Sequence, residues 1–205
     1  MQCKQLGRSD LQISRIGFGC MSLSPDKEAE SIEMIHRAIE TGINYFDTAG
    51  LYNKGMNEML VGKALKTKRE KIIVASKGGN QWRDDGSGWN WNPRKEYILK
   101  AVDESLRRLQ MNHIDLYQLH GGTIDDRIDD VIEAFELLQQ QGKIRYYGIS
   151  SIRPNVIGKY AGYCYYHSNN RTNSHSVRFA TSGYYFRSSR NEQDGTIDKN
   201  RRNSR

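Results

Sequence analysis

Five side chains in this sequence could hold charge or move a proton, and each stands at the end of a short apolar run. Asp47 closes "INYFD", Lys77 closes "KIIVASK", His120 closes "IDLYQLH", and Ser150 with Ser151 closes "IRYYGISS". A carboxylate, an ammonium, an imidazole and a pair of hydroxyls brought to one point could fix a charge, relay a proton and orient a polar substrate. Taken singly, each has an ordinary role. An Asp after a strand caps a turn, a Lys reaches solvent, and a His in a loop is a satisfied polar group. Their joint placement outweighs those readings once the elements that carry them are drawn.

The chain repeats a short apolar run, a polar loop and an amphipathic helix. "QCKQLGRSDLQIS" reads as an N-terminal hairpin around Gly7 to Asp10, and "RIGFG" is the first run after it. Ser24 as N-cap and Pro25 at the first helical position open a helix with Ile32, Ile35 and Ile39 at helical spacing, stopped by Gly42. Further helices are predicted near Asn57 to Lys66, from about Pro93 to Leu109, and from about Asp125 to Gln141. Strands alternating with helices of this length predict a parallel sheet with helices outside. In such a sheet the five side chains share one mouth, the carboxyl ends of the strands, where barrel enzymes keep their active sites. The first turn, "GFGCMSLSPD", has a GxG but lacks the third glycine of a dinucleotide fingerprint. The placement of the reactive groups therefore favours a barrel over an open doubly wound sheet. The loop after Lys77 carries Trp82, Trp89 and Trp91, which either pack on one another or wall a substrate pocket.

Four stretches in order, "INYFDTAGLYNKGMNEMLVGKAL", "IIVASK", "IDLYQLHG" and "GKIRYYGISS", resemble the aldo-keto reductases. These are NAD(P)H-dependent carbonyl reductases built on a (β/α)8 barrel, and the resemblance covers residues 1 to about 157. It implies that Asp47, Tyr52, Lys77 and His120 form the catalytic tetrad. Tyr52 would protonate the substrate oxygen, although a phenol ordinarily keeps its proton to a pKa of about 10. The Lys77 ammonium would ease that release, Asp47 would hold Lys77, and His120 would hydrogen-bond the substrate oxygen. Ser150 matches the family's nicotinamide-carboxamide contact, and Ser151 stands where the family often has Asn for a second contact. The implied cofactor is NADPH, with NADH as the alternative, and the implied partner is a small-molecule aldehyde or ketone. The three cysteines, Cys3, Cys20 and Cys164, show no metal-ligand spacing and read as free thiols of a cytoplasmic protein. The polar N-terminus and the lack of a long apolar run argue against a signal peptide or a membrane span.

The alternation stops after Ile157. Residues 158–205 contain Val177 and Ile197 as their aliphatic residues, with no Leu, Met, Pro or Trp, and carry nine Lys/Arg against three Asp/Glu. That is +6 of the whole chain's net +7. Composition of this kind cannot bury enough apolar surface to offset ordering entropy. The expected architecture is thus an incomplete (β/α)8 TIM-type barrel with an N-terminal hairpin over residues 1–157, followed by a disordered basic tail over 158–205. An abrupt change inside a helix, with no linker signature, suggests a change of reading frame near codon 158. A genuine low-complexity tail is the second explanation and an RNA-binding tail the third. A nucleic-acid partner is not expected, because no fold presents the basic charge. In the family the later strands carry the nicotinamide-stacking aromatic and the groups for the adenosine 2′-phosphate, so activity of this chain is expected to be impaired. A non-catalytic binding or regulatory module on the same half-barrel is the alternative reading.

Overall fold

The computed structural model describes residues 1–7 and 9–170, with side chains described as far as Tyr163. The chain opens with an antiparallel hairpin, β1 (Cys3–Gln5) and β2 (Gln12–Ser14). Strand β3 (Phe18–Gly19) follows, then a 3-10 turn over Pro25–Lys27 leading into α1 (Glu28–Glu40). Next come β4 (Tyr45–Asp47), α2 (Met56–Leu65), β5 (Ile73–Gly78), a second hairpin of β6 (Asn80–Trp82) and β7 (Trp89–Trp91), and α3 (Lys95–Leu109). The described part ends with β8 (Ile114–His120), α4 (Ile128–Gln140), β9 (Ile144–Ser150) and α5 (Pro154–Asn170). Strands β3, β4, β5, β8 and β9 form one sheet in that order, all parallel, as the alternation of strand and helix requires. This is the α/β arrangement of a partial barrel.

Side chains alternate across a strand, so each strand divides its residues between two cores. On the outer face Phe46, Val74, Tyr117, Leu119, Tyr147 and Ile149 pack against apolar positions of the helices, among them Ile35, Leu65, Val102 and Leu138. Phe135 of α4 stacks on Tyr147 at 5.2 Å and meets Tyr117 edge-on at 6.3 Å. On the inner face the lower residues Ile73, Ala75 and Leu116 are apolar, and Leu6 and Leu11 of the first hairpin close over them. Asp115, 1% exposed, locks that closure. It accepts from Val74 N at 2.9 Å and pairs with Arg69 and Arg145, while Arg145 also grips Asp10 of the hairpin turn at 2.9 and 3.0 Å. The hairpin is therefore the plug at the amino ends of the strands, which leaves the carboxyl ends for polar side chains.

The change of composition at residue 158 does not end a helix. Pro154 opens α5, which continues to Asn170 with Val156 and Tyr160 buried and Tyr163 packed against the core. Tyrosines at helical spacing supply the apolar stripe that a search for aliphatic residues overlooks. The remainder of the predicted tail, 171–205, lies outside the described residues. No helix among the described residues is long and apolar enough to cross a membrane.

Two glycines separate close packing from open surface. A Cβ on Gly62 of α2 would stand 2.3 Å from the carbonyl oxygen of Leu109, so only glycine permits this approach of α2 to the end of α3. Gly62→Ala should lower stability by about 1–3 kcal/mol, the usual cost of overpacking. Gly158 meets nothing within 4 Å. Gly158→Ala should gain about 1 kcal/mol of helix propensity and raise Tm by roughly 2–4 °C in thermal unfolding followed by circular dichroism. An unchanged Tm would mean that α5 does not continue through residue 158.

Candidate active site

The parallel register sets the site. Asp47 lies opposite Ala75, Lys77 opposite Gln118, and His120 opposite Ser150, each pair one step nearer the mouth. Asp47, Lys77, Gln118, His120 and Ser150 thus share the inner face above the apolar plug. Beyond β4 the chain stays attached to β5, with Thr48 N donating to Ala75 O at 2.9 Å and Gly50 N to Lys77 O at 3.2 Å. Tyr52 follows, and a sharp reversal then turns the chain into α2. Asn53, Lys54 and Gly55 take φ of 47°, 53° and 85°, three successive left-handed residues. Two of them carry side chains, at a cost of on the order of 1 kcal/mol each or more, a strain that surrounding contacts must hold.

Lys77 is 2% exposed. Its Nζ donates to Asp47 Oδ1, to Thr48 O at 2.9 Å and to the Tyr52 hydroxyl at 3.3 Å. Three ammonium protons meet three oxygens, which is the condition for burying such a charge without an orphaned donor. Burial pushes the Asp47 carboxyl above its ordinary range, and the Lys77 ammonium pulls the other way. Asp47 Oδ2 is buried and accepts no hydrogen bond. His120 meets the Tyr52 ring edge-on, with centroids 5.8 Å apart and planes at 87°. Burial, and after it the Lys77 charge, lowers the His120 pKa to about 4. The imidazole is therefore neutral at physiological pH and keeps one N–H to donate. Its Nδ1 is buried without a hydrogen-bond partner.

The side chains of Asp47, Tyr52, Lys77 and His120 lie together at the carboxyl end of the sheet. Ser150 stands level with His120 at the end of β9, while Ser151 lies one residue beyond and its Oγ accepts from Arg153 N at 3.2 Å. That bond uses one lone pair of the Ser151 oxygen at the entry to α5 and leaves its O–H as a donor. The tryptophan loop is a β-hairpin, a regularity the Gly- and Asn-rich sequence conceals. Trp91 packs over Gly79 and Gly121 and donates its indole N–H to Asp126 at 2.9 Å, so it belongs to the packing. Lys54 lies 5.3 Å over Trp82, and Trp89 is 48% exposed.

Several supporting residues escaped the sequence reading. Asn80 Nδ2 donates to His120 O at 2.8 Å, and the Asn80 carbonyl accepts from the Tyr97 hydroxyl at 2.8 Å. Glu58, fully buried in α2, accepts from Ser76 Oγ and from Arg108 Nε at 2.6 Å, joining the back of β5 to α3. Asn57 beside it is also fully buried. The signal was present as the polar pair "NE" on a helix whose neighbours Leu60, Val61, Ala64 and Leu65 are all buried. Polar residues inside an apolar helix face must bond to something.

The depressed His120 pKa has a measurable sign. The folded value, about 4, lies below the ordinary 6.5, so between these values the unfolded chain takes a proton that the folded chain refuses. This part of the stability is complete above pH 6.5 and is lost as pH falls toward 4. The His120 ring signal in an NMR titration, assigned with His120→Asn, should remain that of the neutral imidazole at pH 5.5. A midpoint near 6.5 would contradict the buried geometry.

The profile of the Aldo/keto reductase family matches residues 15–182. The chain is 58% identical over 160 residues to the uncharacterized oxidoreductase YqkF of Bacillus subtilis, covering 78% of this chain and 52% of that one. An aldo-keto reductase from Bacillus halodurans in its holo form superposes with a TM-score of 0.77 at 59% identity, over 79% of this chain and 54% of that one. A glycerol dehydrogenase from Gluconobacter oxydans gives a TM-score of 0.68 at 33% identity, over 78% of this chain and 52% of that one. The chain spans about half the length of the relatives it matches. With its sheet order, its strand-end residues and the family profile in agreement, the chain belongs to the Aldo/keto reductase family.

Proposed function

We propose that this chain carries the proton-transfer half of an NADPH-dependent reduction of small aldehydes or ketones, with Asp47, Tyr52, Lys77 and His120 as its catalytic residues. One observation carries the reading: the buried Lys77 ammonium, held by Asp47, stands 3.3 Å from the Tyr52 hydroxyl. A nicotinamide cofactor, when bound, would supply the hydride for the carbonyl carbon. As that carbon gains its new bond, negative charge gathers on the oxygen. The neutral His120 donates its N–H to that oxygen, and Tyr52 donates the proton that completes the alcohol. The positive charge of Lys77 stabilises the phenolate that Tyr52 becomes, and Asp47 keeps the ammonium at its post.

The residues present suit the amide end of such a cofactor. The Ser150 hydroxyl is level with His120 at the rim, and the Gln118 carboxamide faces inward beside Lys77. Ser150 would hold the carboxamide, and Ser151, whose oxygen accepts from Arg153 N and whose O–H remains a donor, would be the second contact. We assign NADPH ahead of NADH on the family resemblance. The thiols of Cys3, exposed, and Cys20, buried, are free, which suits a reducing compartment and so the cytoplasm.

The test is kinetic. Tyr52→Phe removes one oxygen and keeps the ring, so cofactor binding should survive while kcat falls by about 10²–10⁴-fold, the usual size of a general acid's contribution. Lys77→Met should cost a similar factor, and the double variant should be little worse than either, because both act on one proton transfer. NADPH oxidation followed at 340 nm (about the absorbance maximum of the reduced nicotinamide) over a panel of aldehydes reads all three. A Tyr52→Phe protein that keeps more than about a tenth of the parent kcat would overturn the assignment.

A further inference from the structure

The acceptors around Lys77 are fixed in different ways. Asp47 is placed by its own strand, and Tyr52 by the strained turn after it. The third acceptor is the Thr48 carbonyl, a backbone group in the loop between them, and a loop carbonyl holds a charge steadily only if the residue that carries it is anchored. Thr48 is fully buried and anchored from two sides. Its N–H bonds to Ala75 O at 2.9 Å, and its side-chain hydroxyl donates to Asn57 Oδ1 at 2.6 Å. Asn57 is held in turn, because its Nδ2 donates to Cys20 O at 2.8 Å and to Leu23 O at 3.1 Å. Two carbonyl acceptors on that side leave the amide a single orientation, with its oxygen toward Thr48. Asn57 therefore joins the loop after β3 to the loop that carries the ammonium's acceptor, from the first turn of α2.

We propose that Asn57, acting through the Thr48 hydroxyl, is a positioning residue that fixes the Thr48 carbonyl and with it the place of the Lys77 ammonium beside Tyr52. Asn57 touches none of the reacting groups, and its effect passes through one hydroxyl and one peptide. The catalytic meaning of that position rests on the reduction proposed above, but the coupling itself does not, and it can be read without turnover.

The readout is the Lys77 ammonium signal of the full 205-residue chain labelled with 15N-lysine, assigned by its absence in Lys77→Met. In the parent protein this signal should exchange slowly with water, because all three protons are bonded. Thr48→Val keeps the side chain's shape and removes its donor. It should speed ammonium exchange by about fivefold to tenfold, the size expected for weakening one hydrogen bond, with backbone amides of β5 unchanged. Thr48→Ser restores the hydroxyl and should stay within about twofold of the parent, a change smaller than one hydrogen bond is worth. Should the valine variant fail to fold, Thr48→Ala leaves room for a water on the Asn57 carbonyl and tests the same link. Unchanged exchange in the variants lacking the hydroxyl would overturn the proposal. So would equal acceleration in Thr48→Ser, which would mean that the methyl group's packing matters rather than the hydroxyl. If the chain reduces no carbonyl yet shows the expected pattern, the proposed reaction falls and the positioning link stands.

Discussion

An ammonium group sealed from water at the end of a strand is the constraint around which this structure is arranged. Lys77 is 2% exposed, and a lone charge so placed would cost several kcal/mol. It is tolerable because Asp47, Thr48 and Tyr52 each give it an oxygen, and all three come from the six residues that follow "INYF". The loop must hold close to β5 to deliver them, and it is bonded to β5 through Thr48 and Gly50. The left-handed residues after Tyr52, the buried Asn57 and the Glu58–Arg108 pair follow directly along the chain. They turn the chain sharply and then clamp it to α3 and to the loop after β3.

The inner face of the sheet shows how the site stays polar without weakening the fold. Its lower rows are apolar and covered by the first hairpin, which Asp115, Arg145 and Asp10 lock in place. Its upper rows carry Asp47, Lys77, Gln118, His120 and Ser150. The packing energy of the sheet comes mostly from the other face, where Phe46, Val74, Tyr117, Tyr147 and Ile149 meet the helices. These polar residues are thus attached to strands whose backs are packed against the helices. This division keeps the Lys77–Tyr52 separation short and the imidazole of His120 partly buried and neutral.

Much of this was legible in the sequence because it depends on periodicity and on strand ends. Apolar runs alternating with amphipathic stretches located β4, β5, β8 and β9, and a parallel sheet then required Asp47, Lys77, His120 and Ser150 to converge. What stayed hidden is tertiary. No spacing rule shows that Asn57 reaches back to Cys20, that Glu58 meets Arg108 of a later helix, or that Asn80 supports the His120 peptide. The hairpin of β6 and β7 was concealed by its Gly and Asn content. The continuation of α5 past residue 157 was hidden for another reason: Tyr160 and Tyr163 bury aromatic surface where the aliphatic residues run out.

The most direct test of this account compares equilibrium unfolding of the parent chain and Lys77→Met at pH 5 and pH 8. Removing the ammonium leaves burial unopposed at Asp47, so the folded-state pKa of that carboxyl should rise further above the ordinary value of about 3.9. A group whose folded pKa is raised contributes stability at low pH that is lost as pH climbs through the folded value. The variant should therefore lose about 3–5 kcal/mol at pH 8, the usual consequence of orphaning a buried charge. The loss should be smaller at pH 5 by roughly 1 kcal/mol or more, about what one unit of pKa shift supplies. Adding Asp47→Asn to the variant should remove the share of that pH dependence that comes from Asp47 and leave the share of the same sign that His120 contributes once the Lys77 charge is gone. An equal loss at both pH values, unchanged by Asp47→Asn, would mean that Lys77 and Asp47 are not the coupled buried pair on which the site depends.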